Sequence, residues 1–150
     1  IYSARRKNFV RTVLRLAAER DTLQVVDDEI GAPTGADLVA DVTAHLVRSL
    51  AAGPASGTYH VAARDETTRH GYARFIVASA QRLGWPLRLQ EHAIAPGRSD
   101  ASGTAAPRPR NSRPDVQRLE RSHNLRMPDW RAGVERVIAE LSEHRSPTEV

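Results

Sequence analysis

The chain has 150 residues and a mass of 16.5 kDa, room for one domain or a large piece of one, and no run approaches the roughly 18 apolar residues that cross a bilayer, which excludes a membrane-spanning helix. It has no cysteine, which excludes disulfide scaffolds, thiolate metal sites and cysteine nucleophiles. The net charge of +4 raises nucleic acid as a partner, but only Lys7 among the 22 basic residues is a lysine, and the arginines are interleaved with Asp and Glu rather than gathered in a phosphate-tracking stripe, so no nucleic-acid partner is expected.

Asn8 is placed to cap a helix running to about Arg20, with Phe9, Val13, Leu16 and Ala17 at helical spacing. Residues 22–26 read as a short strand. The turn Gly31-Ala32-Pro33-Thr34 follows, with Thr34 positioned to cap a helix from about Gly35 to Leu50. Leu38, Val39, Val42, Leu46, Val47 and Leu50 form the apolar stripe of that helix. After a small-residue loop, 57–62 reads as the next strand. Thr67 or Thr68 starts another helix with Tyr72, Phe75, Ile76, Ser79, Ala80 and Leu83 on one face, stopped by Gly84 and Pro86.

The alternation Leu87-Arg88-Leu89-Gln90 reads as an edge strand, and 95–113 as a long surface loop. Pro114 opens a short helix through Arg121, and Pro128-Asp129-Trp130 opens the last one, with Val134, Val137, Ile138 and Leu141 in register. Helices alternating with short strands give an α/β class, with the two final helices expected as an appendage. Ile1-Tyr2 reads as the end of a strand that starts earlier, so the chain is expected to be the C-terminal part of a longer polypeptide. Ile1 to Arg6 contains no apolar signal-peptide core, and a cytoplasmic location is expected.

The chemistry-bearing motifs are mostly missing. The nine glycines form no G-x-G-x-x-G cluster that could bring a backbone up to a pyrophosphate. Histidines 45, 60, 70, 92, 123 and 144 are scattered. Tyr-x-x-x-Lys, in which the lysine lowers the tyrosine pKa for proton transfer, cannot occur, because the residue four positions before Lys7 is Ser3.

Six blocks, in order, are more specific. They are Lys7-Asn8-Phe9 with Thr12 and Leu14; Val25 to Thr34 followed by Asp37-Leu38; Gly57-Thr58-Tyr59-His60; Arg108-Pro109-Arg110-Asn111-Ser112; Pro128-Asp129-Trp130; and Gly133-Val134. Together they resemble the second half of the dTDP-4-dehydrorhamnose reductase family, a branch of the extended short-chain dehydrogenases, from Ile1 to about Leu141. The resemblance implies the C-terminal part of a Rossmann-like fold, with the last strands and a small substrate-binding lobe. It implies reduction of a 4-keto nucleotide sugar to dTDP-L-rhamnose with NADPH or NADH. The dinucleotide-binding half and the Thr/Tyr/Lys catalytic set are expected in a segment preceding Ile1, so these residues alone are expected to be inactive.

For the dTDP-sugar, the resemblance implies Asn8, Phe9, Arg108, Asn111 and Ser112 as substrate-binding residues. Arg108 or Arg110 would pair with the diphosphate, and Asn111 or Ser112 would donate hydrogen bonds. Other readings remain open: Asn8 as a helix cap, Phe9 as core, the 108–112 run as a solvated basic loop. Asp37 and Glu140 are the positions implied for a Mg²⁺ at a homodimer contact, with a further acidic ligand expected in the preceding segment, alongside the reading of both as solvated helix carboxylates. Three positions depart from the family pattern: Glu29 where Gln is usual, Arg69 and His70 in place of a Trp-Tyr pair, and Pro114 in place of Leu. The alternative function is a non-catalytic sugar-nucleotide-binding or regulatory subunit on the same scaffold, of the kind the β subunit of methionine adenosyltransferase resembles.

Overall fold

The computed structural model describes residues 1–49, 57–99 and 109–144. In chain order the elements are α1 (Phe9–Glu19), β1 (Leu23–Val26), β2 (Ile30–Gly31), α2 (Ala36–Ser49), β3 (Thr67–Thr68), α3 (Arg69–Arg82), β4 (Ile94–Gly97), β5 (Asn111–Ser112), α4 (Gln117–His123) and α5 (Trp130–Glu143). The class is α/β, as expected. β1 and β4 form a parallel pair with Leu23 opposite Ile94 and Val26 opposite Gly97. A second sheet has the order β3-β2-β5, antiparallel on one side of β2 and parallel on the other.

The helices start where side chains accept otherwise unpaired N–H groups. Asn8 Oδ1 accepts from Arg11 N at 3.3 Å, Thr68 Oγ1 from Gly71 N at 3.0 Å, and Asp129 Oδ1 from Arg131 N at 2.8 Å. Each such cap is worth about 1 kcal/mol. α3 stops at Gly84, whose φ of +74° lies in the left-handed region that glycine alone enters without steric cost. The main core lies between α1, α3 and α5, where Val10, Ile76, Val77, Trp130, Val134 and Ile138 are buried. A smaller cluster joins Val42 of α2 to Leu119 of α4 and Met127.

Several expectations need correction. The last two helices are not an appendage, since α5 supplies Trp130, Val134, Val137 and Ile138 to the main core. Residues 57–62 form no strand ladder among the described residues, although Ala62 and Ala63 are buried. Residues 87–90 are also not a strand. Leu89 is instead buried beneath α1, where the N–H groups of Arg88 and Leu89 both donate to Ala17 O. The stretch expected as a loop contains β4 and β5, while 100–108 lies outside the described residues.

Thr34 does not cap α2, which starts two residues later. Its hydroxyl donates to Ala32 O and accepts from Ala63 N. α4 starts at Gln117 rather than at Pro114, and Leu83 leaves the α3 face to become 49 % exposed. Of the stripe read on α2, only Val42 is fully buried, and Val47 is 60 % exposed. Leu50 lies outside the described residues.

One close approach yields a prediction. A Cβ on Gly133 would sit 2.5 Å from the Tyr2 hydroxyl, which is buried and donates to Trp130 O at 3.3 Å. Tyr2 cannot swing away, so Gly133→Ala is expected to cost about 1–3 kcal/mol by overpacking. Tyr2→Phe removes the clashing oxygen and should restore much of that loss in the double variant. Urea unfolding of the four proteins checks this; a Gly133→Ala protein as stable as the parent would show that α5 can shift.

Candidate functional site

β2 sets the site. Gly31 lies opposite Thr67 on one side and Ser112 on the other, and the chain then turns through Ala32-Pro33 towards α2. The first turns of α1 and α3 close around it. The result is a groove of about 320 Å³ lined by Tyr2, Phe9, the 31–33 turn, Thr67 to Arg69, Tyr72 and Ser112. Glycine at 31 suits this position: a Cβ there would sit 3.7 Å from Ser112 O, ordinary contact, so the residue keeps the wall thin rather than relieving a clash.

Phe9 stacks on Tyr72 with ring centroids 5.2 Å apart. The Arg69 guanidinium lies 5.3 Å over the Phe9 ring, and its Nη1 is 3.0 Å from Glu29 Oε2. Burial pushes the Tyr2 phenol up to about 12, with Arg136 opposing and Asp37 adding to the shift. Burial also raises Tyr72, with a smaller contribution from Tyr2. Both phenols therefore stay protonated at neutral pH, and their pKa values move away from what proton transfer needs.

The implied site residues are distributed unevenly. Phe9 and Ser112 line the groove together. Asn8 does not line the groove; its amide is engaged, Nδ2 donating to Ser3 O at 2.8 Å and Arg6 O at 3.1 Å, so that it fixes the turn before α1. Asn111 is exposed, its Oδ1 accepting from Arg113 N and Nε. Arg110 Nε is 3.9 Å from Asp28, and Arg108 lies outside the described residues. Residues missed by the sequence reading also line the groove: Tyr2, Thr67, Thr68 and Arg69. The one available signal was the simultaneous change to opposite charges at 29 and 69.

A larger groove of about 420 Å³, between α1 and the end of α5 beside Trp85, contains none of the implied residues. The Mg²⁺ positions fit a cation poorly. Asp37 faces Arg136, with Oδ2 3.5 Å from Nη2, and among the described residues no three metal-binding side chains gather. A hard divalent ion needs about six oxygen ligands, so no step is derived through a metal.

The chain matches the RmlD substrate binding domain family over residues 1–143. It is 42 % identical over 142 residues to the dTDP-4-dehydrorhamnose reductase of Shigella flexneri, covering 94 % of this chain and 47 % of that protein. The corresponding reductase of Streptomyces griseus is 34 % identical over 135 residues, covering 89 % of this chain and 42 % of that one. The crystal structure of dTDP-4-dehydrorhamnose reductase from Bacillus anthracis, in complex with NADP, superposes with a TM-score of 0.75 at 32 % identity over 93 % of this chain and 45 % of that one. The Clostridium acetobutylicum reductase, at 23 % identity and a TM-score of 0.77 over 91 % of this chain and 44 % of that one, shares the fold. The chain spans about half the length of the relatives it matches.

Proposed function

The chain belongs to the RmlD substrate binding domain family, and from that premise we propose that it is the substrate-binding portion of a dTDP-4-dehydrorhamnose reductase. The reaction is reduction of the C4 ketone of dTDP-4-dehydro-L-rhamnose to the alcohol of dTDP-L-rhamnose. The observation that carries this reading is the groove that brings Phe9, Ser112 and the 31–33 turn together. Its lining mixes apolar and hydroxyl-bearing residues with one guanidinium, a combination suited to a nucleotide sugar.

In this reading the dinucleotide and the Thr/Tyr/Lys set belong to another half of the polypeptide. Support comes from the half-length coverage of the relatives. NADP is the cofactor in the Bacillus anthracis complex, which favours NADPH here; when bound, it supplies the hydride delivered to C4. In this reading the residues of this chain hold and orient the sugar. A cytoplasmic setting and a homodimer complete the proposal; sedimentation of the protein in its full natural length tests the latter.

The direct test is nicotinamide absorbance in the presence of dTDP-4-dehydro-L-rhamnose, using the protein in its full natural length. Turnover is expected. Binding of the dTDP-sugar without turnover would favour a binding subunit, and no binding would end the proposal. In the same protein Arg108→Ala is expected to raise the dissociation constant about tenfold to a hundredfold, the scale of a charge-assisted phosphate contact. Arg82→Ala should change it little, because Arg82 forms an exposed pair with Glu135. Equal binding by the two variants would leave the 108–112 block as a solvated connection.

A further inference from the structure

We propose that Arg69 reads the phosphate groups of the ligand that occupies the groove, an inference that rests on the dTDP-sugar reading and sharpens it. Among the described residues lining the groove, Arg69 carries the one formally charged side chain. The other walls are aromatic, aliphatic or hydroxyl-bearing, so an anionic group entering the groove has this guanidinium as its charged partner.

Three observations support this. Glu29 is 13 % exposed and Arg69 37 %, so the carboxylate lies behind and the guanidinium towards solvent. The guanidinium lies 5.3 Å from the Phe9 ring centroid, and a planar guanidinium pairs with phosphate oxygens through two parallel N–H donors. Only Nη1 is bonded to Glu29, which leaves donors of the same fork for a ligand.

The ion pair is not needed to hold the sheet together. Arg69 N already donates to Glu29 O at 3.2 Å, and β2 and β3 are paired at Ile30–Thr68 and Gly31–Thr67. A partly exposed ion pair adds little to stability. Its consequence lies in position: Glu29 Oε2 holds Nη1 of Arg69 at 3.0 Å, and Arg69 lines the groove. Arg69 sits on the first turn of α3, outside the 108–112 block.

The experiment is calorimetric titration of dTDP and of thymidine into the full natural-length parent, Arg69→Ala and Arg69→Lys. Thymidine has no phosphate and serves as the internal control. The parent is expected to favour dTDP over thymidine. Arg69→Ala should reduce that preference at least about tenfold, equivalent to about 1.4 kcal/mol, while leaving thymidine binding nearly unchanged. Arg69→Lys, which keeps the charge but loses the fork, should recover part of the preference. A purely structural role would weaken both ligands alike and leave the ratio intact, and that result overturns the proposal. A parent that binds neither ligand overturns the dTDP-sugar reading, and this inference with it. A parent that binds both equally overturns the phosphate contact alone.

Discussion

Purified as these 150 residues, the chain is expected to oxidise no NADPH above background in the presence of dTDP-4-dehydro-L-rhamnose. Ketone reduction needs a hydride donor held against the carbon and an acid that protonates the forming alkoxide. Positioning alone accounts for about 7–11 kcal/mol of such a barrier, and a placed acid for about 10²–10⁴-fold in rate. The three tyrosines are Tyr2, Tyr59 and Tyr72, and the residues four positions after them are Arg6, Ala63 and Ile76. None has the lysine of a Tyr-x-x-x-Lys pair, and burial drives Tyr2 and Tyr72 upward rather than downward. The nine glycines form no dinucleotide turn. Turnover that follows the purified chain through chromatography and is absent from a mock preparation would show that the groove has an acid these residues do not reveal.

What could be read from sequence follows how local each cause is. α1, α3 and α5 were legible because Asn8, Thr68 and Asp129 cap them within three residues of their partners. Strands depend on partners far along the chain. The β1–β4 pair joins residues about seventy positions apart, and nothing near Ile94 announces it. Leu87 to Gln90 alternates like a strand, yet Leu89 is buried because α1 lies over it and Ala17 O accepts its N–H. The reading of 57–62 as a strand meets the same difficulty from the other side. An apolar extended segment reads as a strand, but a ladder needs a neighbour, and none lies among the described residues.

The site divides in the same way. Phe9 and Ser112 came from resemblance, and both line one groove. Arg69 was seen only as a departure from the family pattern. Its pairing with Glu29, a second departure, spans 40 residues and becomes visible only once β3 folds beside β2. Glu29 lies just before β2 and Arg69 opens α3 just after β3, so the pairing of those two strands is what brings the opposite charges together.

Trp130→Ala is expected to be the most destabilising single change in the described core, costing about 3–5 kcal/mol, the range for truncating a buried large aromatic residue. Trp130 is 2 % exposed. It meets Tyr72 edge-on at 5.5 Å and Phe75 at 4.9 Å, contacts worth about 0.5–1.5 kcal/mol each beyond area burial. Trp130→Phe should cost much less, because the buried Nε1 has no hydrogen-bond partner among the described residues and a phenyl ring keeps most of the packing. The effect should also reach the groove. Tyr72 is clamped between Trp130 and Phe9, so a cavity behind Tyr72 lets the groove's aromatic wall sink inward. In urea unfolding of the full natural-length protein, Trp130→Ala should lower the midpoint strongly and Trp130→Phe slightly. Below the unfolding range, Trp130→Ala should also bind the dTDP-sugar more weakly than Trp130→Phe. If the alanine variant unfolds at the parent's midpoint, α5 does not anchor the core. If it is destabilised yet binds like the parent, Phe9 and Tyr72 hold their positions without support from behind, and the groove's shape is set by β2 and the 31–33 turn alone.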